Sequence, residues 1–106
     1  MEKVSNKELE DLKNKLRSYK KNEIIFNEPH FTERLILREG NRFEVINNLL
    51  NPENLIYFTT EIGKYGDVKY NLYFKIDKNK TMKIPIIFSQ YGKSIYIITF
   101  IMGYRQ

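Results

Sequence analysis

Cysteine is absent from this chain of 106 residues, so no disulfide and no thiolate metal site can form within it. A single histidine, His30, rules out a histidine-rich metal cluster inside one copy. The lack of cysteine is compatible with a reducing compartment, and a cytoplasmic location is expected. No apolar run reaches the roughly 20 residues that span a bilayer, and the charged N-terminal segment does not read as a signal peptide, so no membrane association is expected. The five glycines fall at turns and form neither a P-loop nor a dinucleotide fingerprint. Ser89 has no nucleophile-elbow context and Ser94 opens a strand, which argues against a serine hydrolase. The glutamates are scattered, with no paired-carboxylate constellation. No metal and no cofactor are expected.

Alanine is missing too, while isoleucine (14), lysine (13) and asparagine (11) dominate. That bias suggests an AT-rich coding sequence, in which lysine is the default surface residue, and it is the plain explanation of the net charge of +5. The charge is nonetheless uneven. Residues 1–22 carry +3, residues 23–62 carry −4 and residues 63–106 carry +6. A basic C-terminal half favours a polyanion such as RNA or DNA, or an acidic partner chain.

The length suits one domain, residues 1–106, read as an N-terminal helical extension (1–22) followed by an α+β core (23–106). Ser5 and Glu8 have capping-box spacing, Val4 can staple onto Leu9, and Leu9, Leu12, Leu16 and Tyr19 recur at helical intervals. "EIIF" at 23–26 reads as a short strand. Asn27, Glu28 and Pro29 suit the start of a helix that runs to Gly40, and Asn41 with Glu44 caps another that must stop before Pro52. From residue 54 the period changes to two. "NLIYFTT", "VKYNLYFKI", "TMKIPIIF" and "SIYIITFIM" read as four strands joined by short turns, an antiparallel meander. Pro85 cannot donate to a ladder, so it requires a solvent-facing edge or a bulge. The last strand is apolar on both parities, which suggests a central strand covered on both faces. The expected fold is α+β, with helices packed on one face of a four- to five-stranded, mainly antiparallel sheet.

Two constellations could carry chemistry. His30, Arg34 and Arg38 follow at four-residue steps and drift only about 80° over two helical turns, so they share one stripe. An imidazole beside two permanent cations suits a phosphodiester, with the arginines holding phosphate oxygens and the histidine acting as acid or base. The plainer alternative is a solvated face in which Glu33 and Glu39 pair with the arginines. The second constellation lies on the sheet. If Ile76 faces Met82, then Lys75 faces Lys83 and Tyr73 faces Pro85, giving two opposed lysines beside an aromatic surface on which bases could stack. Both lysine stems could equally splay into water. Tyr104 and Arg105 form a polar tip after the last strand.

The segment "PHFTERLILREGNRFEVINNLLNPENLI", with its histidine, arginine four residues on, second arginine and following glycine, resembles a pattern of the RelE/ParE toxin superfamily, near the BrnT-like toxins and a related small domain family of unassigned function. "KIPIIF" and "SIYIITFIMGY" are similar to the closing strands of that group, and the likeness covers roughly residues 24–104. It implies a RelE-like α+β toxin: a metal-independent endoribonuclease acting on mRNA, often on the ribosome, and restrained by an antitoxin. It touches His30, Arg34, Arg38 and Gly40. Phe31 stands where that pattern has a small residue, Asn41 where it has an apolar one, and the N-terminal helix is additional. Catalysis is therefore expected at His30, Arg34 and Arg38, with RNA held by Tyr73, Lys75, Lys83 and Arg105. The rival expectation is a non-catalytic module that binds nucleic acid or a protein partner. A homodimer through the N-terminal helix is compatible with both.

Overall fold

The computed structural model describes residues 5–37, 41–64, 66–89 and 92–104. Helix α1 (Asn6–Arg17) starts where Ser5 Oγ accepts the Glu8 N–H at 3.1 Å, which satisfies one of the donors a helix start leaves unpaired. Val4, the expected staple, lies outside the described residues. The helix ends before Tyr19, which therefore leaves the helical stripe and packs its ring 5.7 Å from Phe88. A short 3-10 turn at Lys21–Glu23 leads into strand β1 (Ile24–Phe26). Helix α2 covers His30–Leu37, and its expected end at Gly40 lies outside the described residues. Helix α3 (Arg42–Leu50) is capped by Asn41, whose side-chain oxygen accepts the Phe43 N–H at 2.8 Å, and it stops ahead of Pro52. Strands β2 (Leu55–Ile62), β3 (Val68–Asp77), β4 (Lys80–Phe88), β5 (Ile95–Ile97) and β6 (Ile101–Tyr104) complete the chain.

The strands form one sheet in the order β1-β5-β4-β3-β2, with β6 paired to β4 beyond β5. Among the described residues only β1 and β5 run parallel. The sheet has six strands because "EIIF" adds to its margin and the final segment is split in two. The split has a physical cause in β4. Ile97 faces Ile86 and Ile101 faces Lys83, so three residues stand against two. Opposite this one-residue bulge is Pro85, whose carbonyl accepts the Ile98 N–H at 3.0 Å. Its nitrogen, which has no hydrogen to give, faces the same place. Of the two settings anticipated for Pro85, the bulge is the one adopted.

The bulge also explains the last strand. Ile95 and Ile97 are buried before it and Phe100 after it, while Ile101 is exposed. Both parities are apolar because the inward side changes at the bulge, and the expectation of a strand covered on both faces is corrected accordingly. The β3–β4 register is corrected as well. Phe74 faces Met82, so Tyr73 faces Lys83, Lys75 faces Thr81 and Asn71 faces Pro85. The pairing expected for Ile76 fails because a bulge between Lys75 and Asp77 takes it out of register ahead of the Asp77–Lys80 hairpin. Two lysines opposite each other would repel; the observed register sets each against a neutral residue.

All three helices supply the core on one face of the sheet. Leu12 and Leu16 from α1, Phe31 and Leu35 from α2, and Val45 and Leu49 from α3 meet Leu72, Phe74, Met82, Ile84 and Ile86 in a single cluster. Each such side chain contributes about 1.5–3 kcal/mol on burial. Helix α1 is thus a full member of the helical layer, and its apolar stripe is consumed within the chain. Leu16→Ala is expected to lower the unfolding free energy by about 2–5 kcal/mol in one cooperative urea transition. A separate early transition, with the main one unmoved, would instead make α1 an independent piece.

Candidate functional site

Alternation along each strand sends one set of side chains into the helical layer and the other to a face that none of the described elements covers. Across β4, β3 and β2 the open face carries Lys83, Tyr73 and Tyr57 in one row. The Tyr57 and Tyr73 rings lie 5.5 Å apart, and the Lys83 ammonium sits 5.9 Å from the centre of the Tyr73 ring, within range of a cation–π contact. Lys75 is in the next row, opposite Thr81. Among the described residues neither Lys75 nor Lys83 forms an ion pair. At the other end of the face Lys69 bonds Glu61 at 2.6 Å. That hydrogen bond, followed by the charge of Lys69, holds the Glu61 carboxyl below the usual carboxylate range, and Lys83 adds to the effect.

Between these rows Asn71 is only 2% exposed, donating to Thr59 Oγ1 at 3.1 Å. Toward the β3–β4 hairpin the face opens into a hollow of about 430 Å³ lined by Ile56, Lys75, Lys78, Lys80 and Thr81 among others. Apolar groups are exposed on the same side: Ile25 at 50%, beside Tyr96 in the β1–β5 pairing, and Ile56 at 51%. The surface thus combines flat rings, apolar area and ammonium groups, with one carboxylate, Asp77, also lining the hollow.

His30 and Arg34 belong to the helical layer. Their neighbours Phe31 and Leu35 point into the core, where Phe31 packs 5.6 Å from Phe100. Lys75 and Lys83 alternate with Phe74, Met82 and Ile84, which fill that same core, so they project from the opposite face. The sheet lies between the two constellations, and they do not open into one cleft. His30 and Arg34 remain half-buried on α2, and among the described residues no carboxylate pairs with either. Arg38 and Arg105 lie outside the described residues. No group of three or more His, Asp or Glu side chains stands together among the described residues.

The arginine that is firmly held is one the sequence reading passed over. Arg42, at the first turn of α3, donates to Glu28 at 2.9 Å and to Thr32 Oγ1 at 2.9 Å, with its guanidinium 4.5 Å over the Phe26 ring. Thr32 in turn donates to Glu28. The partners are 14 residues apart, too far for a helical-spacing rule to find them. The cluster fixes the start of α2 against α3. It is a clamp built from structural contacts, and its cation is already spent. Tyr57 was also missed; its parity becomes legible only once the irregularity between Leu55 and Tyr57 is known.

Comparison with protein-family models, curated proteins and solved structures finds no match to this chain.

The Thr32 hydroxyl, and after it the Arg42 guanidinium, hold the Glu28 carboxyl below its ordinary value of 4.5. A carboxyl whose pKa is lower in the folded than in the unfolded chain adds stability that is complete above the unfolded value and lost as pH falls through the folded one. Glu28→Gln is therefore expected to lower the thermal midpoint at pH 7, with the gap to the parent closing as both are acidified toward pH 3. A gap that stays constant with pH would contradict this origin.

Proposed function

We propose that the protein binds single-stranded nucleic acid, with RNA as the favoured class, on the open face of its sheet. The observation that carries this reading is the row Tyr57, Tyr73, Lys83: two rings side by side and an ammonium at their margin, on a face left uncovered by the described chain. Aromatic side chains on a sheet give successive bases a stacking surface, each contact worth about 1–3 kcal/mol, and unpaired lysines beside them neutralise the backbone. Lys75 and Lys83 supply that charge, and Lys78 of the hairpin hollow extends it. Electrostatic gain of this kind comes largely from counterion release, which suits a chain of net charge +5.

The toxin-type ribonuclease reading, drawn from the resemblance to the RelE/ParE superfamily, rests on the other side of the sheet. Its support here is that His30 and Arg34 share α2 without a carboxylate partner among the described residues. The RNA-holding lysines assigned to it do not face that helix, so His30 would need a separate substrate path. Binding without cleavage is the reading the geometry favours.

Fluorescence anisotropy with a labelled single-stranded oligoribonucleotide tests it. Affinity is expected to fall with salt, and Lys75→Ala and Lys83→Ala should each reduce the slope of log K against log salt by about 0.7. Tyr73→Ala should weaken binding roughly 5- to 150-fold, the equivalent of about 1–3 kcal/mol. His30→Ala should bind like the parent. Absence of binding, or binding indifferent to all three sheet variants, would sink the proposal, and cleavage abolished by His30→Ala would establish the ribonuclease in its place.

A further inference from the structure

Strand β2 is the long free edge of this sheet, and we infer that it pairs antiparallel with β2 of a second copy, joining two sheets into one across a two-fold axis. The hydrogen-bonding directions follow from the ladder. Gly63 donates to the Asp67 carbonyl, in phase with the pairs Glu61/Lys69, Thr59/Asn71 and Tyr57/Tyr73. In an antiparallel pair alternate residues turn their N–H and C=O groups to the same neighbour. Tyr57, Thr59 and Glu61 therefore spend theirs on β3, and Phe58, Thr60 and Ile62 direct theirs outward. Among the described residues β2 has no second neighbour.

Edges of this kind are normally blunted by lysine, proline or an inward charge. Here the eight residues Leu55–Ile62 contain one charged side chain, Glu61, and it is bound to Lys69 of the same chain. The irregularity near Leu55 bends only the beginning of the strand. The edge is thus unprotected along its length.

A second copy is the occupant that fits. Centred on Thr59, antiparallel pairing sets Phe58 of one copy against Thr60 of the other, and Tyr57 against Glu61, so no like charges meet. Above the same edge a hollow of about 350 Å³ is lined by Glu8, Asp11 and Lys15 of α1 with Phe58 and Thr60. A two-fold axis runs the two α1 helices in opposite directions, bringing the acidic first half of one toward the basic second half of its copy. A surface with both signs arranged in this way is complementary to itself, as a two-fold interface requires. The competing arrangement, β2 on the far margin of another copy, meets an edge broken between the three residues of β1 and the four of β6, so closed pairing of the continuous eight-residue β2 is favoured over an open filament.

The geometry would also place the two open faces side by side. The two rows of Tyr57, Tyr73 and Lys83 then lie on one continuous face, offset along the strands because Tyr57 of each copy meets Glu61 of the other. This pairing does not depend on nucleic-acid binding, and either can fail alone.

Light scattering on the purified chain at high micromolar concentration should give a mass twice 12.8 kDa. Thr60→Pro removes an outward N–H that faces no other strand among the described residues, and it should halve the mass while leaving the far-ultraviolet circular dichroism unchanged. Because the chain lacks cysteine, Thr59→Cys gives a single thiol at the axis, where mild oxidation should produce a covalent dimer. This second variant decides the matter if Thr60→Pro fails to fold. A parent of single mass throughout, or a dimer in which Thr59→Cys does not cross-link, would overturn the inference.

Discussion

The contact between the inner face of the sheet and the helical layer, where Leu72, Phe74, Met82, Ile84 and Ile86 are wholly excluded from water, decides where the other strand residues go. A pleated strand cannot turn two neighbouring side chains to the same side without a bulge. Once those five are fixed inward, Asn71, Tyr73, Lys75, Lys83 and Pro85 must face outward. Tyr73, Lys75 and Lys83 keep part of their surface in water there, while Asn71 and Pro85 are buried. The open face is therefore a consequence of core formation, and its rings and lysines are brought together by the β3–β4 register that the core imposes. The same constraint separates the His30 helix from the lysines, since α2 reaches the protein through Phe31 and Leu35 on the far side.

Pro85 is the second determinant. A proline in an inner strand forfeits one ladder bond, and the chain accommodates this by inserting an extra residue across from it. The bulge changes the side of the final segment that points inward, which is how Ile97 and Phe100 both reach the core. It also separates β5, which holds β1 in parallel, from β6. One missing N–H thereby shapes the margin of the sheet opposite β2.

Much of the fold was legible in the chain. The N-caps at Ser5 and Asn41, the stop before Pro52, the first three of the four period-two segments and the α+β layering all appear where local chemistry puts them, because each is decided by residues close in sequence. What escaped depends on distance or on counting. The bulge at Lys75–Asp77 moved the register by two residues and replaced an expected lysine pair with Tyr73 opposite Lys83. The bulge beyond Ile97 was hidden by isoleucines on both parities. Arg42 escaped because Glu28, its partner, lies on another element. Of the candidate site, the residue types were readable, Tyr73, Lys75 and Lys83 among them. Their company was not: the sequence could not reveal that His30 and Arg34 stand across the sheet from the lysines, nor that Tyr57 completes the row.

On the function proposed above, the open sheet face, and not the helical stripe, is where this protein meets its ligand. Titrating the isotope-labelled protein with a single-stranded oligoribonucleotide and following its amide resonances tests that most directly. Perturbations are expected to concentrate at Tyr57, Tyr73, Lys75 and Lys83, with His30 and Arg34 little changed. Perturbations confined to α2, with the sheet face silent, would contradict it.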